Sequence, residues 1–517
     1  MKRIDSVIAL VRSLSKAEKK AFALQTAATA PEKTRPKYLC LYDMISRGGT
    51  AGCDAAAVRK AFGRHFPDAA FEIEVKYLYD RLVQTIMSQR AGRDTEYALM
   101  CDIGRARMFY DRSLYDDCFD TLADVIDRAD RCGIDGIVLI AQKIELEYLL
   151  SLDFPEMTEK ELFGKHTILQ RALQRTRRIA EHSRLHDLLR YRLGRMGSVH
   201  SDEQQRMLAD LAMNEFYCST ATDAENSFEL SRNHKLFQAN YMMGVGDYGS
   251  ALKMYSELWE LYESRPDRMR QGTTVYYLSV LEGALRALRY ARNYSGMAYF
   301  LERLRRLADD ASESGDVRLG VQCLIFQYEL IPFLDNGDFA TCRQVMDSYA
   351  DTLLDRRAQL NPLRQSELLL YCALVHMGSG NYRQVRRSIE SALVDPGVRY
   401  QPLMRTIRLV RLIAYYELGE RELLESEARS MSRSRGHSTY ATERIVLRFL
   451  TRTQVPPLER QRLQLLDKLR RDFNSLYDSK YERQLLIIFD FTAWIESKLT
   501  KERLSDAIQR HRDEQVF

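Results

Sequence analysis

Apolar residues recur along this chain at helical spacing, and one short polar corner interrupts them repeatedly. In YMMGVGDYGSALKMY, residues 241–255, Gly246-Asp247 precedes Tyr248, with Ala251 three and Tyr255 seven residues further on. Gly337-Asp338 precedes Phe339, followed by Cys342 and Met346, and Gly380-Asn381 precedes Tyr382, followed by Val385 and Ile389. Asn293 precedes Tyr294, with Met297 and Leu301 after it, and Leu114 precedes Tyr115, with Cys118 and Leu122 after it. A weaker corner lies at Gly419 in YELGERELLE. The pattern reads as two antiparallel helices joined by a tight turn. Glycine ends the first helix at low cost because it tolerates left-handed backbone angles. Asp or Asn then caps the second helix. The aromatic is expected to plug the groove between the two, and positions +3 and +7 share the face that buries against the first helix. Such a pair cannot bury both its faces alone, so it stacks on the next.

The intervals from 248 to 294, 339 and 382 are 46, 45 and 43 residues, and the longer gap of 133 from 115 to 248 predicts two degenerate repeats between them. The expected fold class is therefore all-α: a right-handed α-solenoid of antiparallel helix hairpins with a period of about 43–46 residues. Helical caps are expected at both ends, giving an N-terminal cap over 1–95, repeats over 96–440 and a C-terminal cap over 441–517. In the N-terminal part, Ser15 and Glu18 form a capping box that opens KAEKKAFALQ. A second helix, PKYLCLYDMIS, stops at Gly48-Gly49, and a third begins near Asp54. A fourth, AAFEIEVKYLYDRLVQTIMSQ, has Ile73, Tyr77, Val83 and Met87 as its apolar positions. In the C-terminal part, MSRSRGHSTY at 431–440 reads as a polar loop and Pro456-Pro457 as a break. Two long helices, about 458–476 and 480–500, follow, with Trp494 filling the core.

The string GDYGSALKMY at 246–255 resembles the turn and second helix of a tetratricopeptide repeat, whose usual period is about 34 residues; the longer period here makes the unit tetratricopeptide-like. SLSKAEKKAFALQ at 13–25, YLCLYDMI at 38–45 and IFDFTAWIESKL at 488–499 resemble the two ends of a family of uncharacterised bacterial helical-repeat proteins of about this length. That resemblance implies one architecture over nearly the whole chain and a bacterial cytosol, and implies no reaction.

Charge adds two candidate surfaces. Overall, Lys+Arg is 77 against 72 Asp+Glu, a net +5, short of the strongly basic balance of a dedicated nucleic-acid domain. Locally, 166–200 holds eight Arg against Glu181 and Asp187, and four of the nine histidines. Arg171, Arg175, Arg178 and His182 fall at i, i+4, i+7 and i+11, a stripe that would attract phosphates or an acidic peptide. The alternative is a solvated face whose arginines lie over carboxylates of neighbouring helices. Leu169, Ala172, Thr176, Ile179 and Ala180 form the stripe expected to pack inward. His182 and His186 have the i, i+4 spacing of a metal pair, but Ser183 stands where the catalytic Glu would be and no third ligand is evident, so no metal is expected. A second basic stretch, 428–471, has ten Arg and one Lys against Glu443, Glu459 and Asp467.

No phosphate-binding loop, nucleophile elbow or strand-linked Gly-x-Gly-x-x-Gly occurs, so no catalytic residue, cofactor or enzymatic activity is expected. The nine scattered cysteines contain no Cys-x-x-Cys pair and fit a reducing compartment. Asp5 and Arg12 interrupt the first apolar run, and no stretch approaches an uninterrupted membrane span, so a cytoplasmic chain without membrane contact is expected. The function expected is a non-enzymatic scaffold that binds a protein or peptide partner in the groove of the repeats. The alternative is a nucleic-acid- or ribosome-associated regulator using 166–200 and 428–471, and exposed repeat faces also suit self-association.

Overall fold

The computed structural model describes residues 2–29, 36–47, 55–67, 70–92, 94–155, 157–196, 199, 202–220, 228–265, 274–309, 315–393, 403–433 and 440–514. Among the described residues the chain is all-helical and contains no strand.

The chain opens with α1 (Lys2–Ser13), whose Ile4, Val7, Ile8 and Val11 are buried. It then enters α2 (Lys16–Thr29) through the anticipated capping box. The Ser15 amide donates to Glu18 Oε2 at 2.7 Å and the Glu18 amide to Ser15 Oγ at 3.2 Å. Next come α3 (Lys37–Arg47), α4 (Ala55–Gly63) and α5 (Phe71–Ala91). The expected boundaries at Gly48-Gly49 and Asp54 lie outside the described residues. The apolar stripe expected on α5 is corrected: Ile73, Tyr77 and Met87 are exposed, whereas Phe71, Val75, Leu78 and Leu82 are fully buried. Those four follow i, i+4, i+7 and i+11 and so share a face, while the six-residue step from Tyr77 to Val83 leaves it. These helices enclose an apolar core of their own, from Ile4 to Leu82.

The array that follows comprises α6 (Thr95–Asp111), α7 (Tyr115–Cys132), α8 (Asp135–Ser151), α9 (Glu159–Met196) and α10 (Asp202–Thr220). It continues through α11 (Phe228–Val245), α12 (Tyr248–Glu263), α13 (Thr274–Tyr290), α14 (Met297–Asp309) and α15 (Gly315–Asp335). Then come α16 (Phe339–Ser348), with a π-helical turn at Ala350–Leu354, and α17 (Pro362–Gly378), α18 (Tyr382–Ala392), α19 (Met404–Leu418) and α20 (Arg421–Arg433). Each helix packs mainly on its sequence neighbours. One corner geometry joins the pairs. Ser113, Gly246, Arg292, Gly337, Gly380 and Gly419 all have left-handed backbone, with φ between 54° and 87°. At each of them the next amide donates back to Phe109, Met242, Leu288, Phe333, His376 or Tyr415 O at 2.9–3.0 Å, the hydrogen bond that closes a Schellman motif. Asp247, Asn293 and Asp338 then cap the following turn at 3.1 Å, and Asn381 at 3.4 Å.

The inward stripe forms at every such corner: Cys118 and Leu122, Ala251 and Tyr255, Met297 and Leu301, Cys342 and Met346, and Val385 and Ile389 are all buried. The aromatic before it varies. Phe339 is buried and Tyr248, Tyr294 and Tyr382 are half-buried. Tyr115 is 37% exposed, so it does not plug its groove as expected. A phenol must keep a polar end satisfied. Tyr294 does so on Asp335 Oδ2 at 3.0 Å, whereas Tyr115 lies edge-on to Tyr110, which in turn stacks on Tyr148. Some pairs approach very closely. A Cβ on Gly283 of α13 would fall 2.3 Å from the Tyr255 ring, and one on Gly378 of α17 would fall 1.9 Å from the Phe339 ring.

Two full repeats do not fill the gap between Tyr115 and Tyr248. After α7, the helices α8, α9, α10 and α11 occupy it, and α9 alone runs 38 residues, about 57 Å of helix. No Gly or Pro stands where a corner would have divided it, since Gly164 and Gly194 sit near its two ends.

The C-terminal part adds α21 (Ala441–Arg452), α22 (Glu459–Asp478), α23 (Lys480–Leu486), α24 (Phe491–Thr500) and α25 (Leu504–Glu514). The second of the two expected long helices is broken, because Asp490 starts a new helix by accepting from the Thr492 and Ala493 amides at 3.0 Å. The expected loop at 431–440 begins inside α20, and its residues 434–439 lie outside the described ones. One continuous apolar core runs from Phe228 to Ile508, across residue 440. The C-terminal helices lie along the corners as well as at one end. Arg289, buried in α13, makes a bidentate pair with Asp335 and donates to Tyr371 Oη at 2.8 Å and to Ile487 O at 2.9 Å. A Cβ on Gly337 would lie 3.0 Å from Ser505 O, and fully buried Trp494 donates to Glu417 Oε1 at 3.0 Å. Trp494 fills the core, as the sequence suggests. Among the described residues, one segment, Val317–Asp335 of α15, has the length and apolar character of a membrane span, but 61% of that window is buried inside the molecule.

Candidate functional site

The basic stripe of α9 divides when its surroundings are in place. Arg171 is exposed and Arg178 is half-buried. Arg175 turns inward, with Nη2 at 2.6 Å from Asp130 Oδ1 and Nε at 2.7 Å from Asp135 Oδ1. Burial opposes its charge, but the two carboxylates outweigh that and raise its pKa. His182 is buried, its Nδ1 3.5 Å from Glu215 Oε1 of α10, so it is not part of a surface stripe. Glu215, itself buried, also meets His234 of α11. Burial pushes the Glu215 carboxyl up, and the two imidazoles beside it bring it below its ordinary value. His186 faces Asn240 instead, at 3.3 Å, and burial lowers its pKa. The two histidines thus serve different contacts. Among the described residues, no group of three or more His, Cys, Asp or Glu is arranged to hold a metal ion.

The other arginines of the region are also partly engaged: Arg177 pairs with Glu181 at 3.1 Å, and Arg190 donates to Asn240 at 3.4 Å. In the second basic stretch, Arg448 pairs with Asp472 at 2.7 Å and Arg470 reaches Glu496 at 3.4 Å. Arg462 is buried, donating to Leu499 O at 2.9 Å and Pro457 O at 2.6 Å. Much of the surplus charge read from the sequence is therefore held by carboxylates and carbonyls of neighbouring helices. Of the stripe expected to pack inward, Ala172 is fully buried, Leu169, Thr176 and Ile179 are half-buried, and Ala180 is exposed.

A different surface stands out on the same helices. On α9, Leu173, Leu188 and Tyr191 are 52%, 40% and 60% exposed, with Leu173 and Tyr191 on the side away from buried Leu185 and Leu189. Ala180, Ser183, Arg184, Asp187, Leu188 and Tyr191 line a shallow groove of about 500 Å³ there. On α10, Met213, Phe216 and Tyr217 are each more than half exposed, on the face opposite buried Leu208, Leu211 and Glu215. Single exposed apolar residues are ordinary, but a run of large ones on adjoining helices marks an interaction surface. Sequence reasoning passed over α10. Its signal was available: Met213, Phe216 and Tyr217 form an apolar stripe of their own beside a second one, and a helix has only one core face to spend on a single neighbour.

Protein-family models, curated proteins and solved structures were each compared with the chain, and none matches.

Proposed function

We propose that this chain is a non-enzymatic cytoplasmic scaffold: a right-handed, tetratricopeptide-like solenoid that seats an amphipathic segment of a partner protein on the outer face of α9 and α10. The observation that carries this reading is the pair of exposed apolar faces on consecutive helices, Leu188 and Tyr191 at the groove on α9 and Met213, Phe216 and Tyr217 on α10. It occurs where the regular pairs give way to one long helix, so these side chains have no neighbouring pair to cover them. Aromatic residues beside arginine are the composition of binding hot spots, and the groove wall holds Tyr191 with Arg184, alongside Asp187. The resemblance of the two ends to bacterial helical-repeat proteins supports the same architecture and a bacterial cytosol.

The test is capture of a partner from the native host by the wild-type chain and by Tyr191→Ser/Phe216→Ser, followed by calorimetry with the captured segment as a synthetic peptide. The reading expects a partner whose peptide binds the wild type and is lost by the double variant while its helix content is kept. A partner held equally by both, or a purified chain that turns over a metabolite, overturns it. Self-association through this face would appear in light scattering as a mass that falls to that of one chain in the double variant. The nucleic-acid reading has less support, because Arg175 and His182 are committed inside the fold. It expects RNA or DNA retention that weakens steeply with salt.

A further inference from the structure

Among the described residues, the N-terminal helices meet the rest of the chain most closely in two places. α5 packs on α6, its neighbour in sequence, and α1 packs against α15, far along the chain. The second meeting encloses a pocket of about 310 Å³. Arg12, Ser15 and Lys19 line it from one side, and Arg318, Gln322 and Arg356 from the other. We propose that this joint is a binding site for a small phosphate-bearing anion, which ties α1 and α2 to α15.

The argument is one of charge and donor chemistry. Among the described lining residues there are four cationic side chains and no carboxylate. Lys19 and Arg356 face this one small space from its two sides, and a multivalent anion between them is attracted to both. Arginine forks match the oxygens of a phosphate group, and lysine supplies a mobile point charge. Ser15 and Gln322 add neutral donors at the wall. Ser15 is also the cap of α2, so the positive end of a 14-residue helix opens beside the pocket. Glu18, the nearest acid on α2, is turned back onto the Ser15 amide and is not part of the lining. Arg12 and Arg318 make further contacts of their own. Arg356 is steadied by a neutral group, Gln359 Oε1 at 3.1 Å, and Lys19 is exposed at the rim, so both keep their charge for a ligand. The volume lies at the small end of ligand pockets. It suits an inorganic phosphate or pyrophosphate, or the phosphate end of a nucleotide, and is too small for a nucleic-acid strand. The joint is remote in sequence from the α9–α10 face, so the failure of one proposal leaves the other standing.

The experiment is titration calorimetry of the full chain with sodium pyrophosphate at low salt, beside Lys19→Gln and Lys19→Gln/Arg356→Gln. The expected result is one site per chain in the wild type, with affinity at least about tenfold weaker in the double variant and falling with added salt. Pyrophosphate is also expected to raise the unfolding midpoint of the wild type, by linkage. Lys19 is exposed, so the single variant keeps the fold and shows a smaller loss in the same direction. A second arm with ADP assigns the source: affinity equal to or above that of pyrophosphate points to the phosphate end of a nucleotide, and weaker affinity to a free inorganic anion. No binding up to about 1 mM pyrophosphate, or equal affinity in the double variant, overturns the proposal. The latter result would place the anion on the other basic surfaces of the chain.

Discussion

Gly283 offers a sharp test of how α12 and α13 meet. Replacing a helix-interior glycine by alanine normally stabilises a helix by about 1 kcal/mol. Here the added Cβ would fall 2.3 Å from Cε1 and Cζ of Tyr255. The ring is only 4% exposed and has nowhere to retreat without disturbing its neighbours. Overpacking of this kind costs about 1–3 kcal/mol, and an overlap of more than 1 Å belongs at about the upper end of that range. Gly283→Ala is therefore expected to destabilise by about 2 kcal/mol net. Gly320→Ala in α15, where nothing lies within 4 Å of the new methyl, is expected to stabilise by about 0.5–1 kcal/mol. The two tryptophans, Trp259 and Trp494, both sit in the core that runs from Phe228 to Ile508, so their fluorescence in a urea titration reports the right unfolding unit. The double variant Gly283→Ala/Tyr255→Leu should be less destabilised than the sum of its parts by about 1–2 kcal/mol, because the clash has gone. If Gly283→Ala instead gains stability as Gly320→Ala does, the two helices do not approach as described.

Three further expectations concern other parts of the fold. Phe339→Ala should cost about 3–5 kcal/mol, whereas Tyr115→Ala, at the open corner, should cost under about 0.5 kcal/mol; equal losses in urea titrations would refute the distinction between them. Arg175→Ala removes a cation from both Asp130 and buried Asp135 and should cost about 1–3 kcal/mol, against under about 0.5 kcal/mol for exposed Arg171→Ala. The third concerns pH. His511 sits between Asp490 and Glu496, at 3.0 and 2.6 Å, and although burial opposes its charge the two carboxylates raise its pKa to about 10. A raised folded-state pKa stabilises fully below the ordinary value of 6.5 and is lost as pH climbs towards 10. Asp490, held at about 2, contributes in the opposite sense: its share is present above its ordinary value of 3.8 and is lost as pH falls towards 2. Denaturant midpoints of the wild type should therefore decline between about pH 7 and 9, and His511→Gln should lower the midpoint at neutral pH and flatten that decline; an unchanged slope would refute the pairing.

The corners were legible in the sequence because their chemistry is local. A residue that tolerates left-handed backbone, a capping Asp or Asn and apolar positions at +3 and +7 can be read within ten residues. The same reading recovered Ser15 and Glu18. It failed where the outcome depended on distant partners. Nothing near Arg175 in sequence announces Asp130 and Asp135, which arrive from the end of α7 and the start of α8. Nothing near His182 announces Glu215. At Arg292 and Ser113 the left-handed residue is not glycine, so those corners carry a weaker signature, and backbone strain of about 1–2 kcal/mol is offset elsewhere. On α5 the error was arithmetic rather than physical, since a six-residue step does not return to the same face. The exposed side of α10 was missed because an apolar stripe in a helix is read first as core, and only the neighbours decide which stripe is covered.

The bonds of Arg289 bear on the order in which the molecule is built. A nascent chain that has emerged as far as Asp335 can already form the ion pair between them, but the guanidinium still lacks the carbonyl of Ile487, 198 positions downstream. The corner at Gly337 likewise stays bare until Ser505 has been synthesised. Neighbouring helices can therefore assemble while translation continues, yet the row of turns remains uncovered until late in synthesis, and in that interval the half-built protein offers chaperones and proteases a face the finished molecule hides.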